Sequence, residues 1–243
     1  MRFSYQILLA SSLLFFVAAC GPRSEKVQKT ESLPAIPLNK DTAIAVDNAK
    51  TTIPEEAEKP PFKLTEDTAI DFFFGYAKEN PKNQVRLTTN MGSFTVQLYD
   101  NVPYHRANFV FLAEQGYFNQ TQFHRVVPDF IIQGGNSDDK QTSQKRKAIG
   151  RYLLPPDTKK GHRHHRGTLS MPSSERDNPH KLASPYEFFI VVTQPGSYHL
   201  DGSYTPFGKV IEGMDVVDKI NQVPTDKGEW PMRNVYIEKA EVL

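Results

Sequence analysis

Arg125 is the residue whose setting most demands a chemical explanation. It stands in Phe123-His124-Arg125-Val126-Val127-Pro128-Asp129-Phe130-Ile131-Ile132-Gln133-Gly134-Gly135. Phe123, Arg125 and Val127 alternate with His124 and Val126, the period of a strand with two differently dressed faces. Pro128-Asp129 reads as a turn pair. Phe130-Ile131-Ile132 reads as a second apolar strand, and Gly134-Gly135 as the place where that strand stops. A permanent cation among apolar positions is costly to desolvate without partners. It either leaves the strand for solvent or serves as a rigid, always charged donor.

The whole string resembles the signature of the cyclophilin family of peptidyl-prolyl isomerases. There Phe-His-Arg is followed by two aliphatics, Pro, any residue, Phe, two further residues and Gln-Gly-Gly. The resemblance runs from Val85 to Leu243, and it implies rotation about X–Pro bonds in proline-containing polypeptides. That rotation breaks no bond, so the catalyst has only to bind the twisted amide better than either planar isomer. Twisting leaves a lone pair on the prolyl nitrogen, which a guanidinium can stabilise. By resemblance Arg125 is the catalytic residue.

The positions matching the family's proline pocket are Phe130, Ile131, Phe189, Leu200 and Tyr204, with Tyr204 where many members have His. Gln133 matches the Gln that bonds substrate or steadies the Arg. Met171 matches a pocket-wall Met. Pro172 and Ser173 align with residues that offer backbone contacts to the groove, and Pro172 has only a carbonyl to offer. His199 takes roughly the place of the family's drug-contacting Trp. Glu187 replaces a Gln in Glu187-Phe188-Phe189-Ile190, and a carboxylate there is expected to come near Arg125 or to face solvent at the rim. A second reading of the altered groove is a proline-peptide-binding or chaperone module with weak turnover. No cofactor is expected.

The elements that must position these residues are legible in outline. Val85 to Tyr99 reads as two strands meeting at Asn90-Met91-Gly92. A helix from Tyr104 to Gln115 follows Pro103, buries Ala107, Phe109, Val110 and Phe111, and ends at Gly116. Gly167-Thr168-Leu169-Ser170-Met171 is a strand leading to the groove. Glu212 to Ile220 is a helix and Val235 to Val242 a closing strand. The arrangement resembles the family's mainly β fold, an eight-stranded antiparallel barrel capped by two helices, here over residues 85–243. Over 63–84, Thr65-Glu66-Asp67 opens an extra N-terminal helix. Ile70, Phe73, Phe74 and Ala77 form its apolar face, which we expect to dock on the barrel.

The N-terminal quarter reads differently. Arg2 and the short apolar run Ile7 to Val17 form an export signal over 1–19. It ends in Val17-Ala18-Ala19-Cys20, which resembles a lipobox. Cys20 is the sole cysteine, so no intrachain disulfide is possible, and lipid on Cys20 would anchor the protein to a bacterial membrane in the cell envelope. Residues 20–62 are polar and interrupted by Pro34, Pro37, Pro54, Pro60 and Pro61, as in a disordered tether.

The net charge of +1 over 243 residues gives no global case for nucleic acid, and a monomer is expected. One local run is basic. From Lys145 through Arg146, Lys147, Arg151, Lys159, Lys160 and Arg163 to Arg166 only Asp157 opposes the charge. This reads as a mobile loop able to touch anionic surfaces. His162, His164 and His165 lie within it, but no thiol is near and Asp157 is the only nearby carboxylate, so no metal is expected.

Overall fold

The computed structural model describes residues 62–243. The expected signal, Cys20 and all of the tether but Phe62 lie outside them. Helix α1 (Glu66–Glu79) precedes strands β1 (Gln84–Thr89) and β2 (Gly92–Leu98), helix α2 (Pro103–Glu114), and strands β3 (Thr121–Val127) and β4 (Ile131–Asn136). Helix α3 (Lys140–Ile149), strands β5 (Thr168–Ser170) and β6 (Phe188–Val191), and a 3₁₀ turn (Tyr198–Leu200) follow. Strand β7 (Pro206–Glu212), helix α4 (Met214–Asn221) and strand β8 (Tyr236–Val242) complete the chain.

The strands close in the order β1-β2-β7-β5-β6-β4-β3-β8, each pair antiparallel and β8 returning to β1. Closure gives every barrel strand a neighbour on both sides, although β3 meets β8 only at Thr121 and Gln122. The core is aromatic. Phe109 of α2 lies 4.8 Å from Phe118, 5.4 Å from Phe188 and 5.6 Å from Phe207, centroid to centroid. Phe94, Phe123 and Phe188 fill the space beside it, all essentially inaccessible. Burying each such ring contributes about 1.5–3 kcal/mol.

The signature strand departs from simple alternation. β3 and β4 pair with register shifts between Gln122 and Phe123 and between Phe123 and Arg125. The extra residue, His124, puts Phe123 and Val126 in the barrel core while Arg125 and Val127 stay half-buried. Strict alternation would put Phe123 and Arg125 on one face, and the extra residue separates them. Nor does β4 stop at the paired glycines, since it runs on to Asn136. A Cβ on Gly134 would meet the Phe123 ring at 3.0 Å, and one on Gly135, at φ +97, would meet the Tyr186 carbonyl at 2.3 Å. The glycines let two neighbouring segments close on β4.

Helix α1 docks as expected, though by a different face. Thr65 caps it through a reciprocal box with Thr68. Phe72, Phe73 and Tyr76 pack their rings on Phe111 of α2 at 5.2, 5.9 and 5.5 Å. Phe74 is instead exposed, under the Lys78 ammonium at 3.9 Å. Arg106 of α2 closes the other end of α1 by donating to the carbonyls of Ala77, Asn80 and Lys82 at 2.9–3.1 Å. A cation there complements the negative end of the helix dipole.

The second half of helix α3 falls in the run expected to be a mobile loop. The helix buries only Thr142, so it carries no apolar stripe to announce it. Its support is polar. Asp139 caps it, Lys145 donates to the carbonyls of Gly116 and Asn119 at 2.9 and 2.8 Å, and Arg146 donates to the Tyr117 hydroxyl at 2.7 Å.

His105 of α2 is fully buried, and among the described residues neither of its ring nitrogens has a hydrogen-bond partner. Burial pushes its pKa down from 6.5 to about 3. The unfolded chain takes up this proton near 6.5 while the fold refuses it down to about 3, so stability falls as pH drops through that window. We expect this group alone to remove about 2 kcal/mol between pH 7.5 and pH 5. A folded His105→Leu variant should lose that part of the slope in urea titrations, and an unchanged slope would refute the assignment.

Candidate active site

Arg125 on β3 faces Gln133 on β4, and Gln133 faces Phe189 on β6. Three adjacent strands thus carry a cation, an amide and an aromatic ring side by side on the outside of the barrel. Ile131, Phe189 and Val191 form a small apolar cluster there, separate from the main core, with Val127, Phe130, Leu200 and Tyr204 packed against it. Together with His199 and Pro172, most of these residues enclose a cavity of about 320 Å³ with Arg125 and Gln133 in its wall. The rings are fixed against one another. Phe130 stacks on His199 at 5.5 Å and Phe189 meets Tyr204 edge-on at 5.7 Å.

Two sets of polar contacts hold the walls. The turn bearing Phe130 is bound by Asn221 of α4, a buried side chain. Its Oδ1 accepts from the Asp129 N–H at 2.9 Å, and its Nδ2 donates to the carbonyls of Val127 and Ile131 at 2.9 and 3.2 Å. The segment bearing His199, Leu200 and Tyr204 is bound through Asp201. Its carboxylate accepts from Arg163 Nε, the His164 N–H and His164 Nδ1 at 2.8–2.9 Å. Burial works to raise the Asp201 pKa, but these donors outweigh it and hold the carboxyl below its usual value.

His164 Nε2 in turn lies 3.2 Å from Ser170 Oγ, so Asp201, His164 and Ser170 stand in the order of an acyl-transfer triad. The Ser170 proton is committed to the Thr205 carbonyl at 2.8 Å, and both Ser170 and His164 are wholly buried. The set has no nucleophile within reach of a substrate, and it braces the cavity wall.

The Arg125 guanidinium is held on two sides. Nε donates to Glu229 at 2.6 Å and Nη1 lies 3.4 Å from Gln133 Oε1. Gln133 Nε2 donates to Glu187 at 2.9 Å. A carboxylate only accepts, so Glu187 fixes which end of the amide faces Arg125. Of the two placements open to Glu187, direct contact with Arg125 is not formed. Glu187 sits two residues before Phe189, about 6.6 Å further along the strand direction. There it meets Asn136 at 3.2 Å, His124 at 3.5 Å and Arg146 at 3.6 Å. Burial works to raise its pKa, but His124, Gln133 and Arg146 outweigh burial and keep it low. Glu187 is mostly buried, not a solvated rim group.

The cavity and its guanidinium agree with the comparisons with known proteins. Residues 84–242 match the model of the cyclophilin type peptidyl-prolyl cis-trans isomerase/CLD family. The chain belongs to that family. A peptidyl-prolyl cis-trans isomerase of Acinetobacter baylyi is 39% identical over 145 residues, 58% of this chain and 73% of that protein. The peptidyl-prolyl cis-trans isomerase-like 2 of Rhizopus delemar is 36% identical over 172 residues, 70% of this chain, and the match spans only 31% of that longer protein. A Cryptosporidium parvum cyclophilin type isomerase, crystallised in the presence of the dipeptide Ala-Pro, superposes with a TM-score of 0.55. It is 28% identical, and the match covers 66% of this chain and 98% of that one.

Of the residues matched to the cyclophilin groove, Arg125, Phe130, Ile131, Gln133, Phe189, His199, Leu200 and Tyr204 come together around the cavity. Met171 does not, being buried in the main barrel core. Ser173 turns its hydroxyl to the Glu175 N–H at 3.1 Å, within its own loop. The Pro172 carbonyl accepts from the Ser184 N–H at 2.7 Å, which leaves the ring as this residue's face to the cavity.

The basic run is likewise committed internally. Lys160 pairs with Asp157 at 3.4 Å, and Arg166 donates to the Val192 carbonyl at 2.8 Å and to Asp218 at 2.6 Å. Lys147, Arg151 and Lys159 are well-exposed cations without a polar contact described above, and Lys160 and Arg163 stay exposed beside their carboxylates. The three histidines part company. His162 stacks on Tyr99, His164 binds Asp201, and His165 meets Tyr198. Asn221 and Glu229 carried no sequence signal, because each acts on residues distant in the chain.

Asn221→Ala should fold, lose about 1–3 kcal/mol of stability, and free the turn that carries Phe130. We expect KM for an X–Pro peptide to rise about fivefold, roughly 1 kcal/mol, with little change in kcat. An unaltered KM in a protein destabilised by this amount would show that Asn221 does not set the socket.

Proposed function

We propose that this isomerase acts on proline-containing segments of exported proteins, as a monomer tethered to a bacterial membrane through lipid on Cys20. The observation that carries the catalytic reading is a half-exposed guanidinium fixed in the wall of an apolar cavity of about 320 Å³. Such a cavity suits a proline ring flanked by short backbone. Phe130, Ile131, Phe189, Leu200 and Tyr204 desolvate the ring, and His199 closes one side through its stack on Phe130.

The barrier to rotation is about 18–20 kcal/mol because resonance gives the C–N bond double-bond character. Arg125 acts on the twisted state. As conjugation breaks, the prolyl nitrogen gains a lone pair that accepts an N–H from the guanidinium. Neither planar isomer offers that acceptor, so the contact lowers the barrier and not merely the ground state. A charge-assisted hydrogen bond of about 1.5–3 kcal/mol corresponds to about 10–150-fold in rate. Gln133, its amide oriented by Glu187, steadies the donor.

Arg125→Ala should fold normally and lose about 100-fold in kcat/KM in a protease-coupled assay on a short X–Pro peptide. Arg125→Lys should also be poor, because an ammonium cannot hold the same planar geometry. Near-normal turnover of a folded Arg125→Ala protein would exclude the mechanism.

Support for the anchor is the lipobox-like Val17-Ala18-Ala19-Cys20 after a short apolar run. Wild type expressed in bacteria should sediment with membranes and Cys20→Ser should not. Equal sedimentation of both proteins would rule out lipid on Cys20.

A further inference from the structure

We infer that Glu229 is a positioning residue for the isomerase reaction, delivered by the turn between α4 and β8 to hold Arg125 in its productive orientation. This rests on the reading of Arg125 given above. Glu229 touches Arg125 Nε at 2.6 Å. It is not among the residues that line the cavity, so it reaches the reacting amide only through Arg125.

The turn is built to place this carboxylate. Asp226 Oδ1 accepts from the N–H groups of Gly228 and Trp230 at 2.8 and 3.0 Å, and the Asp226 N–H donates to the Trp230 carbonyl at 2.9 Å. Glu229 takes the left-handed conformation at φ +65, which a residue with a Cβ adopts at a cost. Its carbonyl accepts from the Val126 N–H at 2.8 Å, which pins the turn to β3 at the residue next to Arg125. The Trp230 ring lies 6.1 Å from that of His124, on the other side of Arg125 in sequence.

Stability does not explain the pair. The two side chains are 39% and 40% exposed, and ion pairs this open contribute little to folding. Geometry explains it better. An arginine so exposed has several rotatable bonds and would otherwise sample many directions. Gln133 alone holds one Nη at 3.4 Å, a weak contact. The bond at Nε adds a second point of attachment, and two points on a rigid planar group fix its plane. The guanidinium still has N–H groups for the substrate, because Nε carries one of five donors.

The test is kinetic, with Glu229→Ala and Glu229→Gln compared in wild-type and Arg125→Ala backgrounds. Glu229→Ala should lower kcat about tenfold and leave KM within about twofold, since orientation matters in the twisted state rather than in binding. Glu229→Gln keeps an acceptor oxygen and should recover part of the loss. In the Arg125→Ala background Glu229→Ala should cost nothing further, as groups acting through one another are non-additive. The Arg125 Nε–H resonance should be resolved and slowly exchanging in wild type, and lost in Glu229→Ala. Unchanged or raised kcat in Glu229→Ala, or an equal additional loss in the Arg125→Ala background, would overturn the proposal. If Arg125→Ala itself retains turnover, the catalytic reading fails instead, and the Nε–H resonance still decides whether Glu229 holds the guanidinium.

Discussion

A guanidinium in the wall of an apolar cavity must be fixed by partners that do not occupy the cavity. That constraint organises the outer face of this barrel. Arg125 is attached at Nε to Glu229 and lies at Nη1 beside Gln133, whose amide is oriented in turn by Glu187. Glu187 is itself compensated by His124 and Arg146. Charges alternate along the chain of contacts, so each buried or half-buried group finds an opposite charge or a dipole. The orientation of the guanidinium is a property of the chain of contacts rather than of Arg125 alone.

The closed sheet makes this possible. Arg125, Gln133 and Phe189 lie on three neighbouring strands whose spacing is fixed by ladder hydrogen bonds and by the aromatic core behind them. The irregularity at His124 matters as much as the regular pairing. One extra residue sends Phe123 into the core and leaves Arg125 outside. Strands provide rigid side-by-side placement, and the turns they cannot provide are held by Asn221 and Asp201.

Segments beyond the groove are held by polar contacts of the same kind. Arg106 ties the end of α1 to α2, and Lys145 and Arg146 hold α3 against carbonyls and a tyrosine hydroxyl. Basic residues that look like a solvated surface in the linear sequence are donors to carbonyls that would otherwise lack partners.

The sequence by itself determined the family, the barrel strands and most of the cavity. Apolar periodicity and turn residues are local properties, and Phe130, Ile131, Gln133, Phe189, Leu200 and Tyr204 are carried by short strings whose residue types are distinctive. Tertiary structure decided what those strings are attached to. Glu229 lies 104 residues from Arg125 and Asn221 lies 92 from Asp129, within polar stretches that read as ordinary connections. Helix α3 leaves no local signature because its support is hydrogen bonds to distant carbonyls rather than an apolar stripe. Met171 and Ser173 matched the groove by position, yet side-chain direction depends on local twist and on competing partners. Hydrogen bonds between residues far apart in the chain leave no periodic trace along it, which is why the clamp on Arg125 became visible only in three dimensions.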